Sequence, residues 1–406
     1  MPSPSNQASC PEKRLLVCCA RTRIEPAIAQ KIRTLVGGPI DWDFLIQEAA
    51  DYSVTPLLCR QLPAVAADLL DPSRAQRMKE IMRANAIRNL VLTAELFTIL
   101  NLLRSEGIQA IPYKGPVLAA QAYGDVALRD FEDLDIILRQ RDMPKADEIM
   151  TALGYRPKYP WILSAEAASS LVPGEYNYRD EPRHMMVELH TERTLRHFPL
   201  PPDLDDLASR LAPVWVGGRD LLTFSREDML LLLCIHGSKD FWERLSWIAD
   251  VAEFVQACPM LNWDICLGRA RDWRAQRMLN VGLALGVRFF ELQLPADVRS
   301  RVQTDSAAQS VAAQVERRLL ARRRPELGGA GRFNFRRHML EGAFAGWRYS
   351  LRLATVPSED DWSAMRLPNL LAPLYVALRP LRLLRKYGVS NAAVAPGPIP
   401  PKKASN

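Results

Sequence analysis

The sequence has no Cys-x-x-Cys pair, no Gly-x-x-x-x-Gly-Lys-Ser/Thr loop and no Gly-x-Ser-x-Gly elbow. These absences speak against a dithiol redox site, a P-loop NTPase and a serine-hydrolase nucleophile; His236-Gly237-Ser238 does not substitute for the last. The seven cysteines, at 10, 18, 19, 59, 234, 258 and 266, are scattered and offer no zinc-ligand spacing. An odd, dispersed set of this kind suits a reducing compartment, and a cytoplasmic location is expected. Long apolar runs are also scarce. "LLVCCA" is six residues without a cleavage region, so no secretion signal is expected. The stretch 369–384 is interrupted by Arg379, Pro380 and Arg382, so no transmembrane segment is expected there. There is no internal repeat.

What remains is an ordinary globular composition. Of 406 residues, 48% are apolar and 24% charged, enough chain for two or three domains with cores of their own. The net charge is +7. Much of the excess comes from arginine runs in the last hundred residues, which read as a solvated helical surface before a nucleic-acid groove.

The ends, 1–12 and 391–406, are rich in Pro, Ser and Ala and are expected to be disordered tails. Residues 13–105 have helical patterning. Asp41 is a candidate N-cap, and the long amphipathic stretch after residue 74 stops at Gly107. The texture changes at 106–205. "IQAIPY" reads as a strand, Lys114-Gly115 as a turn, and Pro116 as the first residue of a helix reaching Tyr123. "LDIILR" and "MMVELHTER" are two more strands, separated by a helix with Asp142 at its start and Gly154 at its end. The order strand, helix, strand, helix, strand describes a small α/β domain. Residues 206–390 turn helical again, with Ser225-Arg226-Glu227-Asp228 as a capping box for a long helix through "HGSKDFWERLSWIADV".

Residues two apart on a strand share a face, so Asp133 and Asp135 project together while Leu134 and Ile136 enter the core. Adjacent carboxylates repel unless a cation lies between them. Oxygen ligands suit Mg²⁺ or Mn²⁺, which commonly accompany substrate phosphates. Glu188 and His190 share a face of a later strand. If the two strands pair, three carboxylates converge in a form that can hold metal for an in-line attack on phosphorus. Lys114 would add positive charge, Gly115 would let a phosphate approach the backbone, and Arg129 could reach a triphosphate. His236, Lys239, Glu243, Trp247 and Asp250 recur at helical spacing, which makes His236 and Lys239, together with His190, candidate cleft-lining residues.

"YKGPVLAAQAYGDVALRDFEDLDIIL" resembles the core of the uncharacterised nucleotidyltransferase family of the polymerase-β-type superfamily. The resemblance is carried by Lys114-Gly115, Tyr123, Arg129, Asp133/Asp135 and Glu188/His190, and similar segments extend from about 40 to 388. The chain departs from the superfamily in having Gly115-Pro116 where Gly-Ser is usual. It also has Glu188 where the family commonly has Asp, and Asp240 where a second His is expected. The resemblance implies an α+β enzyme: a mixed-sheet nucleotidyltransferase α/β domain flanked by N-terminal and C-terminal helical regions. Asp133, Asp135 and Glu188 would be the catalytic metal ligands for Mg²⁺ or Mn²⁺. Lys114, Gly115 and Arg129 would bind the nucleotide. The implied reaction transfers a nucleoside monophosphate from an NTP to an acceptor the sequence does not name, releasing pyrophosphate. Two alternatives stand beside it: a catalytically degenerate binding or scaffold module on the same fold, and a D-x-D metal-dependent glycosyltransferase.

Overall fold

The computed structural model describes residues 10–158, 174–191, 203–341, 351 and 374–388. Five helices open the chain: α1 (Pro11–Cys19), α2 (Pro26–Val36), α3 (Trp42–Asp51), α4 (Thr55–Ala66) and α5 (Pro72–Ser105). Pro11 sits at the start of α1 with its φ already set for a helix, and Glu12 and Lys13 are buried. The expected tail boundary at residue 12 therefore falls inside a packed helix; residues 1–9 and 389–406 lie outside the described residues. Asp41 caps α3 by accepting from the Phe44 N–H at 3.2 Å. In α5, one stretch is long and apolar enough to cross a membrane (mean hydropathy 1.4), and 44% of that stretch is buried within the protein. Its Leu92, Leu96, Ile99, Leu100 and Leu103 pack under a sheet.

That sheet has five strands: β1 (Ile111–Pro112), β2 (Asp133–Leu138), β3 (Arg156–Pro157), β4 (Glu175–Asp180) and β5 (Met185–Thr191). Their order is β1-β2-β5-β4-β3. Only β2 and β5 run parallel; the other neighbours are antiparallel, so the sheet is mixed. Between β1 and β2 lie the short α6 (Gly115–Leu118) and a π-helical turn, Ala119–Tyr123. Between β2 and β3 lies α7 (Met143–Ala152), where Asp142 occupies the cap position without a side-chain capping bond. β3 and β4 were not evident in the sequence.

Nor was the hairpin that follows α8 (Leu204–Ala208): β6 (Ala212–Val216) and β7 (Arg219–Thr223), joined by Gly217-Gly218. Both glycines have positive φ (53° and 86°), as a two-residue hairpin turn requires. The remaining described elements are helices: α9 (Arg226–Lys239), α10 (Leu245–Ala257), α11 (Trp263–Asp272), α12 (Gln276–Phe290), α13 (Ala296–Thr304), α14 (Ser306–Leu320), α15 (Gly329–His338) and α16 (Leu374–Gly388). Ser225 caps α9 as expected, accepting from the Asp228 N–H. The single long helix expected after it is broken into α9 and α10. Phe241 and Trp242 take left-handed φ (61° and 51°), which drops the fully buried Trp242 against Gly237 and Gly282.

One core cluster joins α1–α4 to α9–α14 and reaches Ile111, Leu118 and Ile137 on the sheet. A second fills the opposite face of the sheet, under α5 and α7. The fold is thus an α+β one: a small mixed sheet held between α5 and a body in which N-terminal and C-terminal helices share one interior.

Candidate active site

The face of the sheet turned toward the C-terminal helices is polar where the sequence alternates. Strand register sets its rows. Asp135 stands opposite Glu188, and Glu188 opposite Asn177; His190 stands opposite Ile137 on one side and Glu175 on the other. Cross-strand partners share a face. Asp133, Asp135, Glu188, Asn177, His190 and Glu175 therefore form one polar field on three strands.

Asp135 is at its centre, buried, with Oδ1 accepting from Lys114 Nζ at 2.9 Å and lying 3.1 Å from His190 Nε2. The same imidazole nitrogen is 3.5 Å from Glu188 Oε2. The ligand atoms of Asp135, Glu188 and His190 all lie within 4.8 Å of one another. Lys114 reaches Asp135 because the turn after β1 passes close over β2. Gly115 has φ +51°, and a Cβ there would stand 3.3 Å from the Asp133 carbonyl oxygen, in contact with Phe131 and Leu134. Only glycine allows that approach without strain.

The field has more carboxylates than its cations neutralise. Burial, then Asp135 and Glu188, push the Asp133 carboxyl up to about 7, against the pull of Lys114 and Arg129. Asp135 is buried too, yet Lys114 and His190 outweigh burial and hold its carboxylate far below the usual range. Burial pulls His190 down, but its bonds to Asp135 and Glu188 win and raise it to about 9. Glu175 is also shifted: burial raises it, but His190, Lys239 and Lys114 together bring it below its ordinary value.

The helical body closes over this field. His236, near the end of α9, has its pKa driven well down by burial and by Lys114 and Lys239, so it is a neutral imidazole. Its Nδ1 is 3.4 Å from Asp240 Oδ2, and its ring meets Trp247 of α10 edge-on at 5.2 Å. Burial raises the Asp240 carboxyl despite Lys239 and Lys114. Lys239 thus belongs to the same electrostatic neighbourhood as Lys114, Glu175 and Asp240.

Arg129 is placed differently. Its guanidinium is taken up by Asp250 of α10, with Nε to Oδ1 and Nη2 to Oδ2 both at 3.0 Å. The Tyr123 hydroxyl donates to the same Oδ1 at 2.7 Å. Tyr123 and Arg129 meet on one buried carboxylate of the helical body, while Lys114, Asp135, Glu188 and His190 meet on the sheet; Asp133 shares their face but stands outside that cluster. Glu175 and Asn177 escaped the sequence reading because β4 did; the alternation in "EYNYRD" was the available signal.

The family model described as an uncharacterised nucleotidyltransferase matches residues 38–291. The chain belongs to that family. This nucleotidyltransferase has no match among the curated proteins. Among solved structures it is similar to the antibiotic-resistance factor ANT(2'')-Ia, at 12% identity over 45% of this chain and 92% of that one, with a TM-score of 0.31. It is also similar to an antigenic nucleotidyltransferase-like protein from Paracoccidioides brasiliensis, at 14% identity over 54% and 93% of the two chains, with a TM-score of 0.34. Likenesses this distant carry no site assignment. Membership of a nucleotidyltransferase family sets aside the glycosyltransferase alternative.

The carboxylate field fits a divalent cation. It offers clustered oxygen donors, an Asp133 carboxyl pushed toward protonation by burial and then by Asp135 and Glu188, and a buried His190 Nδ1 without a hydrogen-bond partner among the described residues.

Proposed function

We propose that this nucleotidyltransferase moves a nucleoside monophosphate from a nucleoside triphosphate to an acceptor hydroxyl or phosphate and releases pyrophosphate. Asp133, Asp135 and Glu188 would hold Mg²⁺ or Mn²⁺. The observation that carries the reading is the cross-strand meeting of Asp135, Glu188 and His190 within 4.8 Å. A bound divalent ion supplies charge neutralisation at the triphosphate and acidifies the acceptor oxygen.

The residues do the rest by position. Lys114 keeps a fixed positive charge beside the carboxylates, and Gly115 keeps the turn close enough for that charge to act. Glu188 would receive the acceptor's proton, a reading supported by its being half-buried where Asp135 is buried. His190 bridges Asp135 and Glu188 and so fixes their orientation. Arg129 acts by docking the catalytic domain on Asp250, not by holding phosphate. Preorganised charge of this kind accounts for most of the rate in phosphoryl-transfer sites.

Incubating the protein with Mg²⁺, each labelled NTP and a cell extract tests the reading. It expects a labelled product from the wild type and none from Asp135→Asn. One feature favours the binding-module alternative: Pro116 follows Gly115, which removes a backbone N–H and the usual Ser hydroxyl from the turn. That alternative expects Mg²⁺-dependent nucleotide binding with no labelled product.

A further inference from the structure

The arginine-rich stretch after α13 is not the evenly solvated surface its composition suggests. Arg318, in the last turn of α14, is 7% exposed. Arg324 follows α14, and Arg332 and Arg336 stand four residues apart on α15. Like charges at that spacing destabilise a helix. All four arginines close on the left-handed turn between α9 and α10. The guanidinium groups of Arg332 and Arg336 lie 5.4 and 4.8 Å from the centre of the Phe241 ring. Phe335 of α15 meets the same ring edge-on at 5.3 Å. Arg318 donates to the Phe241 carbonyl at 3.4 Å, and Arg324 to the Glu243 carbonyl at 2.6 Å.

Four cations share one carboxylate. Among the described residues, the single acidic partner of the four is Glu243, 3.4 Å from Arg318. Shielded arginines elsewhere are matched more closely: Arg129 by Asp250 at 3.0 Å, and Arg210 by Asp228 at 2.6 Å. The Nε atoms of Arg318 and Arg336 are buried without a hydrogen-bond partner among the described residues. Burial pulls the Arg318 guanidinium below its ordinary value, and Arg324 and Arg332 add to this against the pull of Glu243. A buried guanidinium with unmet donors is costly unless an anion shares its site. Its planar fork matches pairs of phosphate oxygens, and several forks around one anion repay the repulsion between them.

The turn joins this cluster to the cleft. Asp240 directly precedes Phe241, and its Oδ2 is 3.4 Å from His236 Nδ1. The Asp240 carboxyl, raised by burial, is pulled back by Lys239 and Lys114 and also by Arg336. Five residues separate His236 from Phe241, roughly 8 Å at the helical rise. The arginines therefore stand on the helical-body side of the cleft, whereas Lys114 and the carboxylates stand on the sheet. A triphosphate is drawn to the sheet by metal and Lys114, which leaves the body-side cations for a different anion. We propose that Arg318, Arg324, Arg332 and Arg336 form an acceptor-binding site, and that the acceptor carries a phosphate group. This rests on the nucleotidyl-transfer reading of the carboxylate field.

The test uses the whole protein without metal, at matched ionic strength. Inorganic phosphate, with acetate as control, is followed by thermal unfolding, and a short labelled oligothymidylate by anisotropy. Wild type should bind phosphate but not acetate, or bind the oligonucleotide. Phosphate alone identifies a small phosphorylated acceptor; the oligonucleotide identifies a nucleic acid. R332Q and R336Q should each weaken the bound probe about tenfold, the loss of one charge-assisted contact. R337Q removes the same charge from the exposed side of α15 and should change nothing. Arg332 is exposed, so R332Q carries the test if R336Q does not fold. A second arm titrates Mg²⁺ with α,β-methylene ATP, which R336Q should bind as wild type does and D135N should not bind. The site is overturned if wild type binds neither phosphate nor oligonucleotide, or if R337Q loses as much as R336Q, which is general surface charge. It is also overturned if R336Q weakens the ATP analogue equally, since the cluster then holds the triphosphate. Failure of wild type to bind the analogue would remove the nucleotidyl-transfer reading and the acceptor role with it, while the phosphate titration would still decide whether the arginines bind an anion.

Discussion

At the residue scale, the site is defined by how differently two neighbouring carboxylates are treated. Asp135 has Lys114 and His190 as partners; Asp133, two residues away, has burial and then the repulsion of Asp135 and Glu188. A carboxyl raised to about 7 in the fold and near 4 when unfolded contributes stability that is fully present below pH 4 and lost as pH rises through 7. His190, raised to about 9, adds stability present below its unfolded value and lost as pH rises through 9. His236, held well below its unfolded value, adds stability as pH rises toward 6.5 and opposes Asp133 there, so the metal-free protein should weaken chiefly from about pH 6.5 to pH 9. Asp133→Asn should flatten the lower half of that decline and be more stable than wild type at pH 8, measured by urea midpoints. An Asp133→Asn protein with an unchanged pH profile would show that the repulsion is relieved in solution. For Asp135→Asn the expected outcome is different: stabilisation by Mg²⁺ with a non-hydrolysable NTP should largely vanish, because that shift exists only where the native site binds. A wild-type shift in this variant would exclude Asp135 as a ligand. These residues were legible in the sequence because period-two spacing on a strand is a local property. The partners were less legible: that Lys114 meets Asp135, and Arg129 meets Asp250, depends on how elements far apart in sequence pack.

At the element scale, the sheet meets the helical body through Asp250. Tyr123 ends the π-helical turn and Arg129 precedes β2, and both bond this one buried carboxylate of α10. The helical spacing of Asp250 with His236 suggested a shared face, but the face is built from two helices because Phe241 and Trp242 turn the chain. Nothing in a hydrophobic pattern announces a left-handed Phe-Trp pair. The β6–β7 hairpin, by contrast, had a local signal that the helical reading of 206–390 passed over: Gly217-Gly218 between two alternating runs. Asp250→Asn should cost about 3 kcal/mol or more, since it leaves the Arg129 charge buried against a neutral partner. Tyr123→Phe should cost only about 1 kcal/mol, the loss of one hydrogen bond to a carboxylate that keeps its arginine. Urea unfolding of the two variants checks the ranking. Equal costs would mean that the pair with Arg129 contributes no more than the hydroxyl.

At the scale of the whole molecule, the N-terminal helices are tied to the end of α14 by a lysine that the sequence placed at the edge of a disordered tail. Lys13 is 1% exposed. Its ammonium lies 3.1 Å from Glu48, donates to the Tyr52 hydroxyl at 3.1 Å and to the Ala321 carbonyl at 2.7 Å, and sits 5.2 Å from the centre of the Tyr52 ring. Tyr52 in turn donates to the Leu319 carbonyl at 2.7 Å. The carbonyls of Leu319 and Ala321 belong to the end of α14, where cations and donors satisfy groups the helix itself leaves unpaired. Lys13→Met keeps the length and apolar stem of the side chain but removes the charge. It leaves a largely buried Glu48 carboxylate and a helix-end carbonyl without their donor, for an expected cost of about 3 kcal/mol. Since α1 and α14 share one core, the loss should not stay local. Hydrogen exchange should accelerate in α1 and at the end of α14 together, while the strands around Asp135, in contact with the second core, keep their protection. Faster exchange confined to α1 would mean that the N-terminal helices are an appendage. Faster exchange everywhere would mean that sheet and helices unfold as one unit, with this buried ammonium holding both.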